Sequence, residues 1–225
     1  MVLVLYLQQL EINPKEQRNS YSSWSNYSWE YISRTQNNKT LNQYEFATNL
    51  LIPFEGFNET AVWDYGAWRI GYGSGTITLP NGKYKTVKQG DRTTKELALK
   101  DLQRRVKEFE QKLINQVGQK YWDPLNYEVK GALISLGYNY GGFIPSLTKT
   151  IEAIKTGNNE IIATTIEKET KEHNKSKPQR VREALYKRRL KEAKIIRDSK
   201  QPASTKIVLL GIPLILLGFY LITKK

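Results

Sequence analysis

The sequence contains no cysteine and one histidine, and these shortages exclude two kinds of chemistry. Without cysteine the chain forms neither a disulfide nor a catalytic thiolate, which fits a reducing compartment without requiring one. The histidine, His173, lies in the polar run KEHNKSKP, where a solvated position is expected. Because zinc sites are built mainly from cysteine and histidine, we predict no metal and no cofactor.

Acidic side chains are also few relative to basic ones. The 225 residues include 35 lysines and arginines against 22 aspartates and glutamates, a formal net charge of +13. This charge favours a polyanionic partner: nucleic acid, an anionic membrane or an acidic polymer such as a bacterial cell wall. No recognised nucleic-acid module surrounds the basic stretch YKRRLKEAKIIR, so we predict no specific nucleic-acid partner.

The two ends of the chain differ from its middle. Residues 1–43 open with the apolar stretch MVLVLY, which no basic residue precedes, a poor match to a secretory signal. The rest of this region is rich in serine, asparagine and aromatic residues. We interpret residues 1–43 as a polar aromatic arm that drapes over a domain; the alternative is an arm that stacks on sugars or docks a partner.

The C-terminal end carries a long uncharged apolar run. Residues 198–206 form a predicted linker, and the run IVLLGIPLILLGFYLI follows, flanked by lysines. A helix of this run spans roughly 24 Å, short of the ~30 Å hydrocarbon core, but flanking lysines extend toward the headgroups. We therefore predict a transmembrane helix over residues 207–223 and a lipid membrane as its partner.

Residues 44–197 are predicted to form one α+β domain, mostly helical with a small antiparallel β-hairpin lobe. The apolar positions of NQYEFATNLLIPF have helical spacing, and this helix is predicted to end at Glu55-Gly56. The segments WRIGYG and TITLPNGKYKTV alternate, and Asn81-Gly82 predicts a hairpin turn.

The remainder of this domain is predicted to be helical. Thr93 and Glu96 are expected to form a capping box, and Asp123 is expected to cap a helix with Pro124 in its first position. The segment PQRVREALYKRRLKEAKIIR predicts a solvated amphipathic helix. Its expected core-facing residues are Val181, Ala184, Leu185 and Ile195 or Ile196.

Glu55 and Asp64 are candidate catalytic carboxylates, nine positions apart. Glycoside hydrolysis uses two such groups: one stays protonated as general acid, and the other stays ionised to activate water or stabilise positive charge. Phe54 precedes Glu55, and apolar neighbours would favour its protonated form. Trp63 and Trp68 flank Asp64 and either line a saccharide cleft or pack in the core.

The order of these motifs resembles the phage-type lysozymes of glycoside hydrolase family 24. The matching stretches are LIPFEGF, WRIGYG, GDRTTKELA, ALISLGYNYG and ALYKRRLKEA, within residues 44–197. The resemblance implies a lysozyme-like fold, with Glu55 as general acid and Asp64 as second carboxylate. It also implies supporting roles for residues of the glycine-rich strand, the YNxG segment and the RRxxE helix, namely Ile70, Gly71, Tyr72, Gly73, Tyr138, Asn139, Gly141, Arg188, Arg189 and Glu192.

Two positions depart from the family pattern. Arg69 stands where the family usually has the threonine thought to hold the attacking water, and Ser74 replaces the usual histidine. Because a guanidinium stays protonated, Arg69 does not act as a base. It is expected to orient Asp64, to bind acidic groups of peptidoglycan, or to form a structural ion pair with Asp64.

Three functions fit these observations. The first is a membrane-anchored muramidase that cuts bacterial peptidoglycan, in the membrane of a phage virion or of the host cell. The second is a lytic transglycosylase on the same fold, which needs only the acid. The third is a non-catalytic wall-binding protein of a virion, in contact with other virion proteins.

Overall fold

The computed structural model describes residues 41–64, 66–141 and 147–201. Residues 1–40 of the predicted arm, residues 202–206 of the predicted linker and the predicted membrane helix over 207–223 lie outside these ranges. Of the helices within these ranges, none is both long and apolar enough to cross a membrane.

The described chain is mostly helical, with two small antiparallel hairpins after the first helix. A helix α1 (Gln43–Glu55) leads into strands β1 (Asn58–Asp64), β2 (Ala67–Gly71), β3 (Thr76–Thr78) and β4 (Tyr84–Thr86). The remaining elements are the helices α2 (Lys95–Val117), α3 (Gln119–Trp122), α4 (Tyr127–Asn139), α5 (Thr148–Lys155), α6 (Asn159–His173) and α7 (Gln179–Asp198). The predicted α+β class with a small hairpin lobe is confirmed.

Helix α1 has a well-defined start and end, and both bear on the site. The side chain of Asn42 accepts hydrogen bonds from the backbone N–H groups of Tyr44 and Glu45, and Glu45 completes a capping box. The helix ends at Gly56, whose N–H donates to the carbonyl of Ile52 at 3.2 Å. Glu55 is therefore the last residue of α1, as predicted.

Helix α4 runs through the middle of the hydrophobic core. It packs against α1, α2 and α7. Gly131 brings α1 close, because a Cβ atom at this position would lie 2.6 Å from the ring of Phe46. The apolar side chains of α4 are almost fully enclosed, namely Val129, Ala132, Leu133, Ile134 and Leu136. This core holds α1 and α7 in fixed positions on either side of α4.

The hairpins form a lobe with a smaller core of their own. Strands β1 and β2 pair antiparallel, with Trp63 opposite Trp68 and Asp64 opposite Ala67. Strands β3 and β4 pair antiparallel around the turn at Asn81-Gly82, so the predicted hairpin is confirmed. A separate apolar cluster joins the two hairpins, consisting of Ala61, Ile70, Ile77 and Val87 with Trp68 against it.

Two predicted helix starts are wrong. Helix α2 is capped by Thr94, whose side chain accepts from the N–H of Leu97 at 3.2 Å. Thr93 is buried and donates its own N–H to Glu59 of β1, so it belongs to the lobe and not to the cap. Helix α4 begins after Asn126.

Asp123 instead follows the short helix α3, and its N–H donates to the carbonyl of Gln119 at 2.9 Å. The indole of Trp122 is buried and donates to Glu110 at 3.0 Å. This contact keeps the residues around Asp123 in the preceding turn, so α4 starts three residues later than Asp123 and Pro124 suggest.

Helix α7 differs most from expectation. The sequence predicts a solvated basic helix with an apolar inner face, and Leu185, Ile195 and Ile196 are indeed buried. Arg188, Arg189 and Glu192 lie in the interior as well. Buried charges require partners, and these three residues have them on α4 and α1.

Gly71 is expected to be less tolerant of a side chain than Gly82. Both have positive φ, +59° and +80°, but a Cβ at Gly71 would lie 2.8 Å from Cβ of Ala98, whereas Gly82 faces open space. Gly82→Ala should therefore cost about 1 kcal/mol of unfolding free energy, from backbone strain, and Gly71→Ala roughly 3 kcal/mol. Urea unfolding measures both variants, and equal costs would show that α2 yields freely at Ala98.

Candidate active site

Glu55 is buried at the junction of α1 and the hairpin lobe. Its side chain is 4 % exposed, and Oε1 accepts a hydrogen bond from Nη1 of Arg188 at 2.8 Å. Oε2 makes no hydrogen bond to the described residues. The carboxylate is therefore held through one oxygen and free at the other.

Arg188 uses all three nitrogens of its guanidinium in this interior. Besides Glu55, it donates through Nε to Glu192 at 3.2 Å. Its Nη2 donates to both the carbonyl and the hydroxyl of Ser135 on α4, each at 3.2 Å. The guanidinium also lies 4.7 Å from the centre of the Phe54 ring. Arg188 thus ties α7 to α1 and to α4 at the position of Glu55.

A second arginine balances the charge of this network. Arg189 lies 2.7 Å from Oε2 of Glu192 as an ion pair, and donates to Oε1 of Glu192 at 3.2 Å and to Asn139 at 3.4 Å. Two guanidinium groups therefore face two carboxylates. Burial alone would lower the pKa of Arg188, but Glu55 and Glu192 outweigh it and raise that pKa. For Arg189, burial prevails and lowers the pKa.

Asp64 is the last residue of β1 and is 3 % exposed. Its Oδ1 is buried and has no hydrogen-bond partner among the described residues. Burial raises the pKa of this carboxyl above its usual range, against the opposing attraction of Arg69. Arg69 favours the ionised form of Asp64, but the cost of removing the carboxylate from water is larger, so the net change in the pKa is an increase.

Arg69 lies on the Asp64 face of the hairpin without touching Asp64. Val62 is opposite Arg69 and Asp64 is opposite Ala67, so Arg69 and Asp64 share a face at diagonal positions. Among the described residues Arg69 forms no ion pair, which corrects the expected pair with Asp64. Its guanidinium instead lies over Gly75, where a Cβ would be 2.6 Å from Nη1.

The two tryptophans lie on the other face of the hairpin. Neighbouring residues of a strand point to opposite faces, so Trp63 and Trp68 are turned away from the face that carries Asp64. Their rings meet edge to face at 5.3 Å; Trp68 packs on the lobe core, and Trp63 is 55 % exposed. This corrects the interpretation of both rings as walls beside Asp64.

Tyr138 connects the helical domain to the lobe beneath the site. Its hydroxyl donates to the carbonyl of Tyr72 at 2.7 Å and accepts a hydrogen bond from Arg105. Burial raises the pKa of Tyr138, so the hydroxyl stays protonated and the bond to Tyr72 persists. The Tyr72 ring packs against Phe57, 5.7 Å between centroids. Tyr72 therefore contributes its carbonyl and its ring to the junction between the two lobes.

Ser74 takes part in a second set of polar contacts between the hairpin lobe and helix α2. Its hydroxyl lies 3.0 Å from that of Thr76, which donates to the buried carboxylate of Asp101 at 3.1 Å. Thr78 donates to the same carboxylate at 3.0 Å, and Arg104 donates to it at 2.8 Å. Asp101 and Arg104 of α2 thus hold the strand that follows Ser74, and Ser74 supports the lobe through Thr76.

Comparison with known proteins agrees with this arrangement. Residues 53–192 match the family described as phage lysozyme. The chain belongs to the phage lysozyme family. This family comprises peptidoglycan-hydrolysing glycosidases, and its matched range begins two residues before Glu55 and ends at Glu192, so it contains the whole buried network.

Two solved structures are similar to this lysozyme. An endolysin from Escherichia coli O157:H7 phage FAHEc1 is 27 % identical, with a TM-score of 0.52, covering 74 % of this chain and 99 % of its own. The muramidase domain of SpmX from Asticaccaulis excentricus is 21 % identical, with a TM-score of 0.43, covering 67 % and 93 %. A search of curated proteins gives no match.

The main contact that sequence reasoning missed in this lysozyme is the pair of Arg188 with Glu55. The RRxxE motif predicted supporting roles for Arg188, Arg189 and Glu192, but the basic composition of α7 suggested that these side chains are solvated. A usable signal was present: Arg188 and Glu192 are four residues apart and fall on the helical face that Leu185 and Ile196 define. For Asp101 the sequence offers only Arg104, three residues later on α2, because its other partners, Thr76 and Thr78, come from β3.

Replacing Arg69 should change the pH dependence of activity through Asp64. Arg69 lowers the pKa of Asp64, so Arg69→Met should raise it. Activity that requires ionised Asp64 would then be lost at a higher pH, moving the acidic limb upward by about 0.5–1 unit. The profile is recorded as cell-wall solubilisation at constant ionic strength. Arg92→Met, an exposed arginine paired with Glu59, is the control, and an unmoved limb in Arg69→Met would mean that Arg69 does not act on Asp64.

Proposed function

We propose that this protein hydrolyses the β-1,4 bond between N-acetylmuramic acid and N-acetylglucosamine in bacterial peptidoglycan, with Glu55 as general acid. The observation that carries the proposal is the buried carboxylate of Glu55, held at Oε1 by Arg188 and unpartnered at Oε2 among the described residues. Oε2 is the oxygen from which Glu55 would pass a proton to the glycosidic oxygen, while the guanidinium prevents the side chain from turning away.

In this proposal Asp64 is the second carboxylate of the reaction. As Glu55 protonates the leaving oxygen, positive charge develops at the sugar ring, and a second carboxylate stabilises it or activates the attacking water. The hydroxyl of that water joins the sugar carbon, and its proton returns to a carboxylate. Arg69 and Asp64 lie on the same face of the β1–β2 hairpin, which supports Arg69 as the residue that favours the ionised form of Asp64.

A second reaction, lytic transglycosylation, has one specific observation in its favour. Burial and the unpartnered Oδ1 disfavour ionised Asp64, and a transglycosylase needs the acid alone. In that reaction a hydroxyl of the muramic acid itself displaces the leaving oxygen, and no water is consumed. Mass spectrometry of the products separates the two reactions, since hydrolysis yields a reducing end and transglycosylation an anhydro sugar.

Glu55→Gln should abolish cleavage of cell walls in a zymogram, because an amide has no proton of suitable acidity to donate. Loss of a general acid typically costs ~10²–10⁴-fold in rate. Because the neutral amide leaves the charge of Arg188 less compensated, circular dichroism must first show that the variant is folded. Glu59→Gln, an exposed carboxylate on β1, is the matched control and should keep full activity. Clearing by Glu55→Gln equal to wild type would refute the assignment.

We also propose that residues 207–223 anchor the enzyme in a membrane, that of a phage virion or of the host cell. The apolar run and its flanking lysines support the anchor, and the polar linker before it separates the anchor from the catalytic domain. A virion location would place the enzyme on the outer side of the host wall at entry, where peptidoglycan is accessible.

Deleting residues 203–225 should release the enzyme from lipid and leave its activity on isolated walls intact. The catalytic domain keeps its C-terminal contacts in this truncation, since Asn159 donates to the carbonyl of Ser199 at 2.9 Å and Asn126 to that of Lys200. Flotation with liposomes compares the truncated and full chains. Continued flotation of the truncated protein would contradict the anchor, and lost activity in a folded truncation would assign the tail to the catalytic unit.

A further inference from the structure

One face of α7 carries a row of cations that the buried network does not use. Arg180, Lys187 and Lys191 are spaced by seven and four residues, which places them along one stripe of the helix. None of the three is in an ion pair with a described residue. Glu183, which lies between Arg180 and Lys187 in the sequence, forms no ion pair with either of them and accepts a hydrogen bond from Gln179 at 2.9 Å.

Lys191 is the member of this row that reaches the site. Its Nζ lies 5.5 Å from the centre of the Phe54 ring, and Phe54 is the residue before Glu55. The guanidinium of Arg188, one turn earlier on α7, lies 4.7 Å from the same ring and holds Glu55. The ammonium of Lys191 therefore lies over the ring of the residue that precedes the proposed general acid in the chain.

The surroundings of Lys191 in the described chain lack the anion that a partly buried cation normally has. Its side chain is half-buried, and burial lowers its pKa. Some other lysines do have anionic partners: Lys85 pairs with Asp91 at 2.7 Å and Lys155 with Glu152 at 2.7 Å. A half-buried ammonium without an ion pair among the described residues, over the ring of the residue before a proposed catalytic carboxylate, is typical of a position that binds an anionic ligand.

We propose that Lys191, with Lys187 and Arg180 behind it, binds the carboxylates that the glycan substrate carries on its muramic acid residues. This inference rests on the proposed function and names the part of the substrate that α7 recognises. Because the stem peptide is attached to the lactyl carboxyl as an amide, the free carboxylates are those of the stem peptide where it is present and that of the lactyl group where the peptide has been removed. In either case Lys191 binds substrate and takes no part in proton transfer, so its loss should weaken binding and leave the chemical step unchanged.

The test uses the full chain and soluble glycan strands in three forms: with stem peptides, with the peptides removed enzymatically, and with all carboxylates amidated. Lys191→Met should raise KM on peptide-bearing strands roughly fivefold, as expected for one partly exposed charge pair, with kcat within about twofold of wild type. Lys191→Arg should restore most of the affinity. An effect that vanishes on peptide-free strands assigns the stem-peptide carboxylates alone, and one that persists there shows that Lys191 also binds the lactyl carboxylate that removal of the peptide sets free.

Lys112→Met is the matched control. Lys112 also lies over an aromatic ring, 5.0 Å from the centre of Phe109, and has no ion pair among the described residues, but it projects from α2. It should match wild type on every strand. On amidated strands the KM of Lys191→Met should also equal that of wild type, because no carboxylate remains for the ammonium to bind.

Two results would overturn the inference. A KM of Lys191→Met equal to that of Lys112→Met on peptide-bearing strands would show that Lys191 binds no substrate carboxylate. An equal loss on amidated strands would show a structural role. If the wild-type chain cleaves no strand, the proposed function fails, and binding of peptide-bearing strands to the same variants is measured by calorimetry. Binding that is weakened in Lys191→Met and not in Lys112→Met would then still support this inference.

Discussion

The buried pair of Arg188 with Glu55 is the interaction on which the arrangement of the site depends. It joins the end of α1 to the middle of α7, and through Ser135 it joins both to α4. A buried pair of this kind adds little net stability, but removing one partner leaves an uncompensated charge and costs about 3–5 kcal/mol. Glu192 and Arg189 complete the pair into a neutral set of four groups, so the interior tolerates two arginines.

The hairpin lobe is positioned by polar contacts, not by a shared hydrophobic core. Its apolar cluster is separate from that of the helices, and the links between them include Tyr138 to the Tyr72 carbonyl and Asp101 to Thr76 and Thr78. Directional bonds of this kind hold β3 and the turn at Tyr72 on the helices, and β1, which carries Asp64, is held through its pairing with β2. Asp64 itself lowers the stability of the fold, since its buried Oδ1 has no hydrogen-bond partner among the described residues. Groups that lower stability in this way are common at functional sites.

Much of this fold follows from local patterns, and the errors have physical causes. The end of α1 at Glu55-Gly56 and the hairpin at Asn81-Gly82 depend on a few adjacent residues, so both were predictable. The caps at Thr93 and Asp123 were mispredicted because contacts far along the chain, from Glu59 and Glu110, draw these segments into other elements. For Trp63 and Trp68, closeness in sequence to Asp64 suggested a shared cleft, but strand alternation puts the rings on the opposite face.

By itself, the sequence determined the class of fold and suggested the two candidate carboxylates, because these depend on periodicity, turn residues and motif spacing. Only the tertiary structure decided which charges are buried and what they face. Arg188 is one of 35 basic side chains, and the sequence shows only that it shares a helical face with Leu185 and Ile196, not which group it faces. Its partner Glu55 lies 133 residues away, and packing of α7 against α4 and α1 brings the two together. Burial, and hence the electrostatics of the site, is a property of that packing.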